Sequence, residues 1–341
     1  MTFTQSIAEL EEYHAFACGV ARLAGNFLRE EQVRRRRIHA FKAREKMNAV
    51  DLVTATDVAV ERIIRDAITM RYPDHAFIGE ESYSASQEKR FLLTDGPTWI
   101  VDPIDGTVNM IHMFPMCAIS IGFCIDSVPR MGVVFAPFIG GEGTLYSAIH
   151  HPRGGAWMSE FGPYGPATSL PLISPPPPLP GSTKGCIYLG EWGKDRRDFP
   201  GSNLEKRCTN FMNMAAEVGG RDGKAGMVHG IRSLGSSAMD LVYVASGQGD
   251  IMFEAGGCWE WDICGAAAIL LQTGGIIVDA NPPEDLSEND PIPMTHLGSR
   301  RYLAIRGCSR DDGGRSPRRQ QEALVREIWK KTERIHCYRP L

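Results

Sequence analysis

Two aspartates, Asp102 and Asp105, follow an apolar run in the segment WIVDPIDGT, residues 99–107. The run predicts a strand, and ligands in α/β folds collect at the carboxyl ends of strands. Pro103 and Gly106 favour a tight turn, so both carboxylates can converge on one point. Two close carboxylates repel each other, and a hard divalent cation relieves that repulsion. The alternative is an ordinary turn, in which Asp, Pro and Gly are all common.

Two further segments place carboxylates where a strand ends or a helix begins. FIGEES, residues 77–82, ends an apolar run with two glutamates, and its alternative is a solvated acidic turn. WEWD, residues 259–262, puts Asp262 at the start of an apolar helix, where its alternative is a plain N-cap. Three such sites in one chain are typical of a two-metal phosphoryl-transfer centre. Gly106 and Thr107 open another predicted helix, whose free N–H groups would suit a phosphate.

Periodic apolar residues predict the elements that hold these carboxylates. Helices are expected over the first forty residues, after Asp57 as an N-cap, over 236–246 and 262–273, and around 320–335. Short strands are expected at 76–78, 98–101, 185–189 and 276–278, with a hairpin of 118–125 and 130–135 around a turn at 126–129. Strands alternating with helices in both halves indicate a layered α/β or α+β enzyme fold.

The chain has 341 residues, enough for one large domain or two of ordinary size. With 43% hydrophobic and 23% charged residues it has the composition of a folded protein, and a net charge of −4 argues against a general polyanion binder. The apolar runs are too short to span a bilayer, and the acidic N-terminus is unlike a signal peptide. The nine cysteines form no CxxC pair or zinc-type cluster, so reduced thiols in a cytoplasmic protein are expected.

A stretch rich in Pro, Gly and Ser divides the chain. We expect an N-terminal half over 1–165, a linker or insertion over 166–184, and a C-terminal half over 185–341. The four prolines at 175–178 could be a ligand for an SH3-type partner, but a stiff connection between the halves is the favoured interpretation.

Two basic segments point to other functions but lack the residues these need. GGRDGKA, residues 219–225, lacks the first Gly and the final Ser or Thr of a P-loop, so a loop is the favoured interpretation. The arginine run at 34–37 has no aromatic platform beside it, so a solvated helix face is favoured over nucleic-acid binding.

The carboxylate segments together resemble the inositol monophosphatase family, the magnesium-dependent, lithium-sensitive phosphatases. The resemblance rests on Lys46, DLVTATD (51–57), GEES (79–82), DPIDGT (102–107) and WD (261–262), in family order and near family spacing. It extends from roughly the first helix to the last and is interrupted around the Pro-rich stretch. Three other segments look most like the quinate-utilisation branch of this family, namely EWGKDRR (191–197), HGIRS (229–233) and GSSAMDL (235–241).

The resemblance implies an α+β fold, a layered αβαβα sandwich, and a centre of two to three Mg²⁺ ions. By position, Glu80, Asp102 and the backbone carbonyl of Ile104 would hold the first ion. Asp102, Asp105 and Asp262 would hold the second, and a weaker third ion would depend on Glu80. An all-oxygen set of this kind suits Mg²⁺ and makes zinc an unlikely occupant.

The resemblance also implies roles around the reacting phosphate. Thr107, helped by Asp57 and Glu80, would orient and activate the attacking water, while the N–H groups of Gly106 and Thr107 would bind phosphate oxygens. The positions that would bind the hydroxyls of the substrate ring are Gly235, Ser236, Ser237 and Glu254.

We therefore expect a cytoplasmic, homodimeric, Mg²⁺-dependent phosphomonoesterase that hydrolyses inositol monophosphate or a similar polyol phosphate, with no nucleic-acid or membrane partner. One departure bears on the substrate, because the chain has one residue more than the common family spacing between Glu254 and Asp262, and Glu260 is a new carboxylate there. The alternatives are a phosphatase of a nucleotide 3′-phosphate, a sugar phosphate or a quinate-pathway metabolite. A non-catalytic regulatory protein is a third possibility, using the Pro-rich stretch or the loop at 190–200 to bind its partner.

Overall fold

A computed structural model describes residues 6–38, 44–45, 52–86, 93, 95–160, 166–288 and 290–337, without the side chains of 35–38, 44–45 and 52–53. Lys46 and Asp51 of the resembling motifs lie outside the described residues, as do the side chains of most of the arginine run. Among the helices of the described ranges, none combines the length and the apolar character needed to cross a bilayer.

The first sheet has seven strands in the order β3-β4-β5-β6-β7-β8-β9, all antiparallel to their neighbours except the parallel pair of β3 and β4. A short antiparallel pair, β1 (Arg44–Glu45) and β2 (Leu52–Val53), precedes it. The seven strands of the first sheet are β3 (Ala76–Gly79), β4 (Thr98–Asp105), β5 (Ala118–Ile125), β6 (Val128–Ala136), β7 (Thr144–Ile149), β8 (Ala156–Ser159) and β9 (Thr168–Ser169).

The second sheet has five strands in the order β11-β10-β12-β14-β13. β10 runs parallel to β11 and β12, whereas β14 runs antiparallel to β12 and β13. The strands are β10 (Ile187–Gly190), β11 (Gly230–Arg232), β12 (Ile251–Ala255), β13 (Ile276–Val278) and β14 (Arg301–Ile305).

Helices cover both sheets and separate them. The helices are α1 (Ile7–Ile38), α2 (Ala55–Arg71), α3 (Glu80–Ala85), α4 (Thr107–Ile111), α5 (Asn203–Ala215), α6 (Ser237–Ser246), α7 (Glu260–Gln272) and α8 (Pro317–Lys331). Apolar side chains of α1 and α2 share one core with the first sheet, and those of α8 share another with the second sheet. The third core lies between the sheets and contains the apolar residues of α6 and α7. The predicted αβαβα sandwich is confirmed.

Alternation along β4 explains how one strand serves two layers. Trp99 and Val101 belong to the core beneath α1 and α2, while Ile100 belongs to the core between the sheets. Successive side chains of a strand point to opposite faces, so a strand buried on both faces reads as a continuous apolar run. β4 continues to Asp105 instead of ending near residue 101, which puts the DPID segment within the strand.

Two predicted boundaries were wrong for local reasons. The hairpin turn consists only of Asp126 and Ser127, both with positive φ (50° and 60°), and two left-handed residues suit a two-residue turn between twisted strands. The last helix begins at Pro317 rather than near residue 320, because the Ser316 hydroxyl caps the N–H of Arg319 and proline fits the first helical turn.

The Pro-rich stretch connects β9 to β10 and is attached to the second sheet. Leu170 and Leu179 are buried, and the guanidinium of Arg306, directly after β14, donates to the carbonyls of Pro177 (2.7 Å) and Pro178 (3.1 Å). These contacts hold the Pro-rich stretch against the second sheet, and its role as a connection between two halves stays a prediction. The glycine-rich segment 219–225 forms a short 3₁₀ turn, as a loop interpretation predicts.

Candidate active site

The three predicted aspartates meet at one point between the sheets. Asp102 and Asp105 lie at the end of β4, where the pairing with β5 shifts register, and Asp262 lies in the first turn of α7. One carboxylate oxygen from each lies within 4.8 Å of the other two, and all three residues are buried. Residues far apart in the sequence thus form a single acidic centre.

Each of these carboxylates is oriented by a backbone N–H group. The amide of Ile104 donates to Asp102 Oδ1 (2.9 Å), and the amide of Trp259 donates to Asp262 Oδ2 (2.6 Å). Asp105 Oδ2 accepts from the amide of Ala238 (2.7 Å) and from a serine hydroxyl. The N-cap alternative for Asp262 was wrong, because Trp259 occupies the N-cap and Asp262 is the third residue of the helix, reaching back to it.

Burial and mutual repulsion disfavour the ionised forms of these three carboxylates. Burial raises the pKa of Asp102 well above its ordinary range, and Glu80, Asp105 and Asp262 raise it further. Burial also raises the pKa of Asp105 to about 6 and that of Asp262 well above its ordinary range. A buried cluster of oxygen donors without His or Cys fits a hard divalent cation such as Mg²⁺, which would favour all three ionised forms.

Glu80 reaches the same cleft from another direction, as the first residue of helix α3. The carboxylate of Glu61, from α2, positions that helix by accepting from the amides of Glu81 (2.6 Å) and Ser82 (2.8 Å). Gly79 has to be glycine for this contact, since a Cβ there would lie 2.6 Å from the Glu61 carboxylate. Glu61 was not predicted as a site residue, because its only local signal is a charge within an apolar helix.

Thr107 and Asp57 form a pair beside the acidic centre. Thr107 Oγ1 lies 2.9 Å from Asp57 Oδ1 and 3.1 Å from the Ile104 carbonyl, so it can donate to either. Burial raises the pKa of Asp57, while hydrogen bonds from Thr54 and Thr107 act in the opposite direction. The prediction that Asp57 is an N-cap was wrong: Thr54 caps α2, and Asp57 at its third position accepts from the Thr54 amide in a capping box.

Gly106 turns the chain from β4 into α4 and brings two segments together. Its φ is +85°, and a Cβ would lie 2.9 Å from the carbonyl of Met116 and 3.1 Å from that of Gly235. Asn109 stabilises the same junction, since its Nδ2 donates to the carbonyls of Met116 (2.5 Å) and Leu234 (2.6 Å). The predicted phosphate-binding turn is therefore in contact with the predicted substrate segment that starts at Gly235.

The cleft above this centre has a volume of about 230 Å³. Of the predicted substrate residues, Gly235, Ser237 and Glu254 line it. Ser236 does not, because its hydroxyl is buried behind the cleft, where it donates to Asp105 Oδ2 (2.5 Å) and caps α6. Among the described residues, the lining consists of Glu80, Asp102, Ile104, Asp105, Gly106, Thr107, Val108, Asn109, Glu191, Gly193, Lys194, Arg196, Gly235, Ser237, Glu254, Gly257, Cys258 and Asp262.

Glu254 is buried in β12, and its Oε1 accepts from the amide of Gly257 at 2.9 Å. Its Oε2 has no hydrogen-bond partner among the described residues. Burial raises the pKa of Glu254 to about 7, Arg207 opposes that shift, and Glu191 adds to it. The segment with the extra residue therefore begins by folding back onto Glu254 and keeps it at the cleft wall.

A second acidic pair lies behind the substrate segment. Glu191 accepts from the amide of Gly235 (2.8 Å) and the hydroxyl of Ser233 (3.0 Å), which ties the segment after β10 to the one before α6. Asp240 is fully buried, and neither of its oxygens has a donor among the described residues. Burial raises the pKa of Asp240 well above its ordinary range, and the neighbouring Glu191 carboxylate raises it further. Asp240 therefore binds a proton more readily than an exposed aspartate does.

A layered αβαβα sandwich with a buried centre of carboxylates defines a class of α+β phosphatases. The model of the inositol monophosphatase family matches residues 9–333, and the chain therefore belongs to that family.

Several curated proteins are similar over most of the chain. It is 48% identical to Protein qutG of Emericella nidulans over 97% of this chain and 96% of that one. It is 44% identical to quinic acid degradation cluster protein x of Neurospora crassa over 99% of this chain and 98% of that protein. It is 40% identical to inositol monophosphatase 2 of Saccharomyces cerevisiae over 77% and 78% of the two chains.

The solved structure of inositol monophosphatase from Anabaena has the same fold. It superimposes with a TM-score of 0.63 at 21% identity, covering 95% of this chain and 96% of that one. Family and fold together point to a phosphatase of the inositol monophosphatase type.

Proposed function

We propose that this protein is a Mg²⁺-dependent phosphomonoesterase acting on inositol monophosphate or a similar polyol phosphate. One observation carries the proposal: three buried carboxylates within 4.8 Å of one another, beside a threonine hydroxyl held by Asp57. Phosphate monoesters hydrolyse extremely slowly without catalysis, so a dense oxygen-donor centre next to an oriented hydroxyl suits that reaction.

The metal ligands we propose are those that the family resemblance implies. Glu80, Asp102 and the Ile104 carbonyl would hold one ion, and Asp102, Asp105 and Asp262 a second, with a weaker third near Glu80. When bound, Mg²⁺ supplies the charge that lowers the pKa of a bound water and neutralises phosphate oxygens.

The remaining steps belong to side chains and amides of the chain. Ionised Asp57 accepts a hydrogen bond from the Thr107 hydroxyl at 2.9 Å, which leaves the lone pairs of Oγ1 free to accept a hydrogen bond from the attacking water. As the water attacks, its proton passes to Oγ1 while the hydroxyl proton of Thr107 passes to Asp57. The amides of Gly106 and Thr107, at the start of α4, are proposed to bind phosphate oxygens. Gly235, Ser237 and Glu254 line the cleft where the alcohol portion would lie. Ser236 is proposed to act indirectly, by fixing Asp105.

The names of the relatives favour a second candidate substrate. The similar Neurospora protein is named for a quinic acid degradation cluster, so a phosphate ester from quinate metabolism is the alternative to an inositol phosphate. A regulatory protein that keeps the fold without turnover is a third candidate. A homodimer in the cytoplasm remains a proposal that rests on the family resemblance alone.

The test is release of inorganic phosphate from a panel of esters, with Mg²⁺ and with EDTA. The panel holds inositol 1-phosphate, a nucleotide 3′-phosphate, a sugar phosphate and phosphorylated quinate-pathway compounds. Mg²⁺-dependent release that is lost in Asp102→Asn supports the proposal, and the preferred ester selects among the substrates. If folded protein releases phosphate from none of them at any Mg²⁺ concentration, the regulatory interpretation replaces the enzyme.

A further inference from the structure

The loop of residues 191–197, here called the cationic loop, lies at the rim of the cleft. Lys194 and Arg196 of this loop line the cleft together with the carboxylates of the acidic centre. In the sequence, this segment resembles one branch of the family and is a candidate partner surface. The fold brings it to the place where a substrate would lie.

The two cations act on different parts of the cleft. Lys194 lines the cleft together with Asp105 and Asp262, two carboxylates of the acidic centre. Burial and Arg207 lower the pKa of Arg196, whereas Glu191 and Glu254 act in the opposite direction. Arg196 is therefore on the side of the cleft where the alcohol portion of the substrate would lie.

The fold holds the cationic loop in place. Gly193 has a φ of +65°, and a Cβ there would lie 2.5 Å from a guanidinium nitrogen of Arg207. Arg207 is buried and donates to the carbonyl of Asp195 (3.3 Å) and to that of Ala255 in β12. Arg196 Nε donates to the carbonyl of Gly193 (2.8 Å), which folds its side chain back over the loop. The position of the two cations is thus a consequence of packing against β12.

The hydroxyl groups of a neutral polyol are weak hydrogen-bond partners for these two cations. Hydroxyl groups compensate poorly for the water that a guanidinium or ammonium loses on binding, whereas an anionic oxygen forms stronger, charge-assisted hydrogen bonds. A planar guanidinium also matches the paired oxygens of a carboxylate or phosphate. The reacting phosphate itself would be held at the acidic centre through the metal ions and the amides at the start of α4.

We propose that Lys194 and Arg196 form a second anion subsite, so that the preferred substrate is a phosphorylated polyol carrying a further carboxylate or phosphate. This inference rests on the proposed phosphatase function and narrows its substrate class. It concerns the cationic loop and leaves the proposed metal ligands unchanged.

The test compares matched esters that differ in the second group. Gluconate 6-phosphate is paired with glucitol 6-phosphate, and fructose 1,6-bisphosphate with fructose 1-phosphate, each with the Mg²⁺-loaded wild type and with Lys194→Gln and Arg196→Gln. Arg197→Gln is the control, since it removes the same charge from the same loop, but its side chain is 76% exposed, pairs with Asp195 and lies outside the cleft.

We expect kcat/KM of the wild type to favour the more anionic member of at least one pair by about ten- to hundredfold, the range of one charge-assisted hydrogen bond. Each cleft variant should bring that ratio towards one, because kcat/KM falls more for the more anionic member than for its partner, and Arg197→Gln should keep the ratio. The pair that shows the preference distinguishes a carboxylate from a second phosphate.

A wild-type ratio of one in both pairs, or an equal loss on both members in the cleft variants, would overturn the subsite and leave the phosphatase intact. Failure to release phosphate from all four esters and from inositol 1-phosphate counts against the phosphatase instead. In that case calorimetric binding of gluconate 6-phosphate and glucitol 6-phosphate decides the subsite. Tighter binding of the gluconate ester that is lost in Lys194→Gln supports it, and equal binding overturns it.

Discussion

The N-terminus of helix α3 depends on one buried carboxylate, and replacing it should weaken both the fold and the metal centre. Glu61 is 3% exposed and accepts from the amides of Glu81 (2.6 Å) and Ser82 (2.8 Å), and from the Ser82 hydroxyl. Glu80 is the first residue of this helix and extends into the cleft. The change Glu61→Ala removes this acceptor, so the amides of Glu81 and Ser82 at the start of α3 lose their hydrogen bonds to it.

The size of the effect follows from these bonds. A hydrogen bond to a charged group contributes about 1.5–3 kcal/mol, and contributions at one site are not additive. Because the hydroxyl of Ser82 can rotate to another partner, we count the two amides and expect a loss of about 3 kcal/mol in the free energy of unfolding. At about 2 °C per kcal/mol for a large domain, Tm should fall by roughly 6 °C. Glu61→Gln keeps one acceptor oxygen and should lose less.

The assay is calorimetric unfolding in EDTA, together with the Mg²⁺ concentration that gives half-maximal phosphate release. Glu61→Ala should raise that concentration several-fold, because Glu80 is no longer held at the cleft. Glu12→Ala is the matched control, since it deletes a carboxylate from an exposed ion pair with Arg71, and exposed pairs of this kind contribute little to stability. If Glu61→Ala unfolds within 1 °C of the wild type with an unchanged Mg²⁺ requirement, the proposed support of α3 is refuted.

Three other changes test other parts of the site. Asp102→Asn should reduce turnover by orders of magnitude yet raise Tm in EDTA, because it removes a buried charge that its neighbours repel. Burial raises the pKa of Asp240, so the folded state keeps a proton that the unfolded state releases above its ordinary pKa, and stability falls as pH rises. Asp240→Asn should therefore gain more Tm over the wild type at pH 8 than at pH 5, measured in EDTA. Gly106→Ala should lower kcat at least tenfold with an unchanged circular dichroism spectrum, because its φ of +85° and the carbonyls of Met116 and Gly235 oppose a Cβ.

Local sequence patterns predicted the strands and helices with strong short-range signals, whereas α5, β7, β8, β12 and β14 were not predicted. The apolar run at 99–101 and the glycine and proline after it are sufficient to predict a strand leading to a turn. The same patterns misplaced Asp57 as an N-cap and left an N-cap as the alternative for Asp262, since a carboxylate at the third helical position reaches back to the N-cap amide. Only the geometry separates the two arrangements.

The supporting contacts of the site could not be predicted, because they join residues distant in sequence. Glu61 and Ser82 are 21 positions apart, and Gly235 and Glu191 are 44 apart. Neither pair has a periodicity or motif that marks it. Asp240 looks like an ordinary acidic residue in the first turns of a helix, and only the packing around it reveals that it is buried.

In the acidic centre, the fold orients the buried carboxylates but does not neutralise their charge. Asp102, Asp105 and Asp262 each receive a backbone N–H bond on one oxygen, which fixes the direction of the carboxylate without cancelling its charge. The raised pKa values of all three show that these bonds do not offset burial and repulsion. The remaining compensation has to come from protons or cations. Since a cation at a hundred times its dissociation constant adds about 2.7 kcal/mol, the same carboxylates that weaken the metal-free protein should make its stability respond strongly to Mg²⁺.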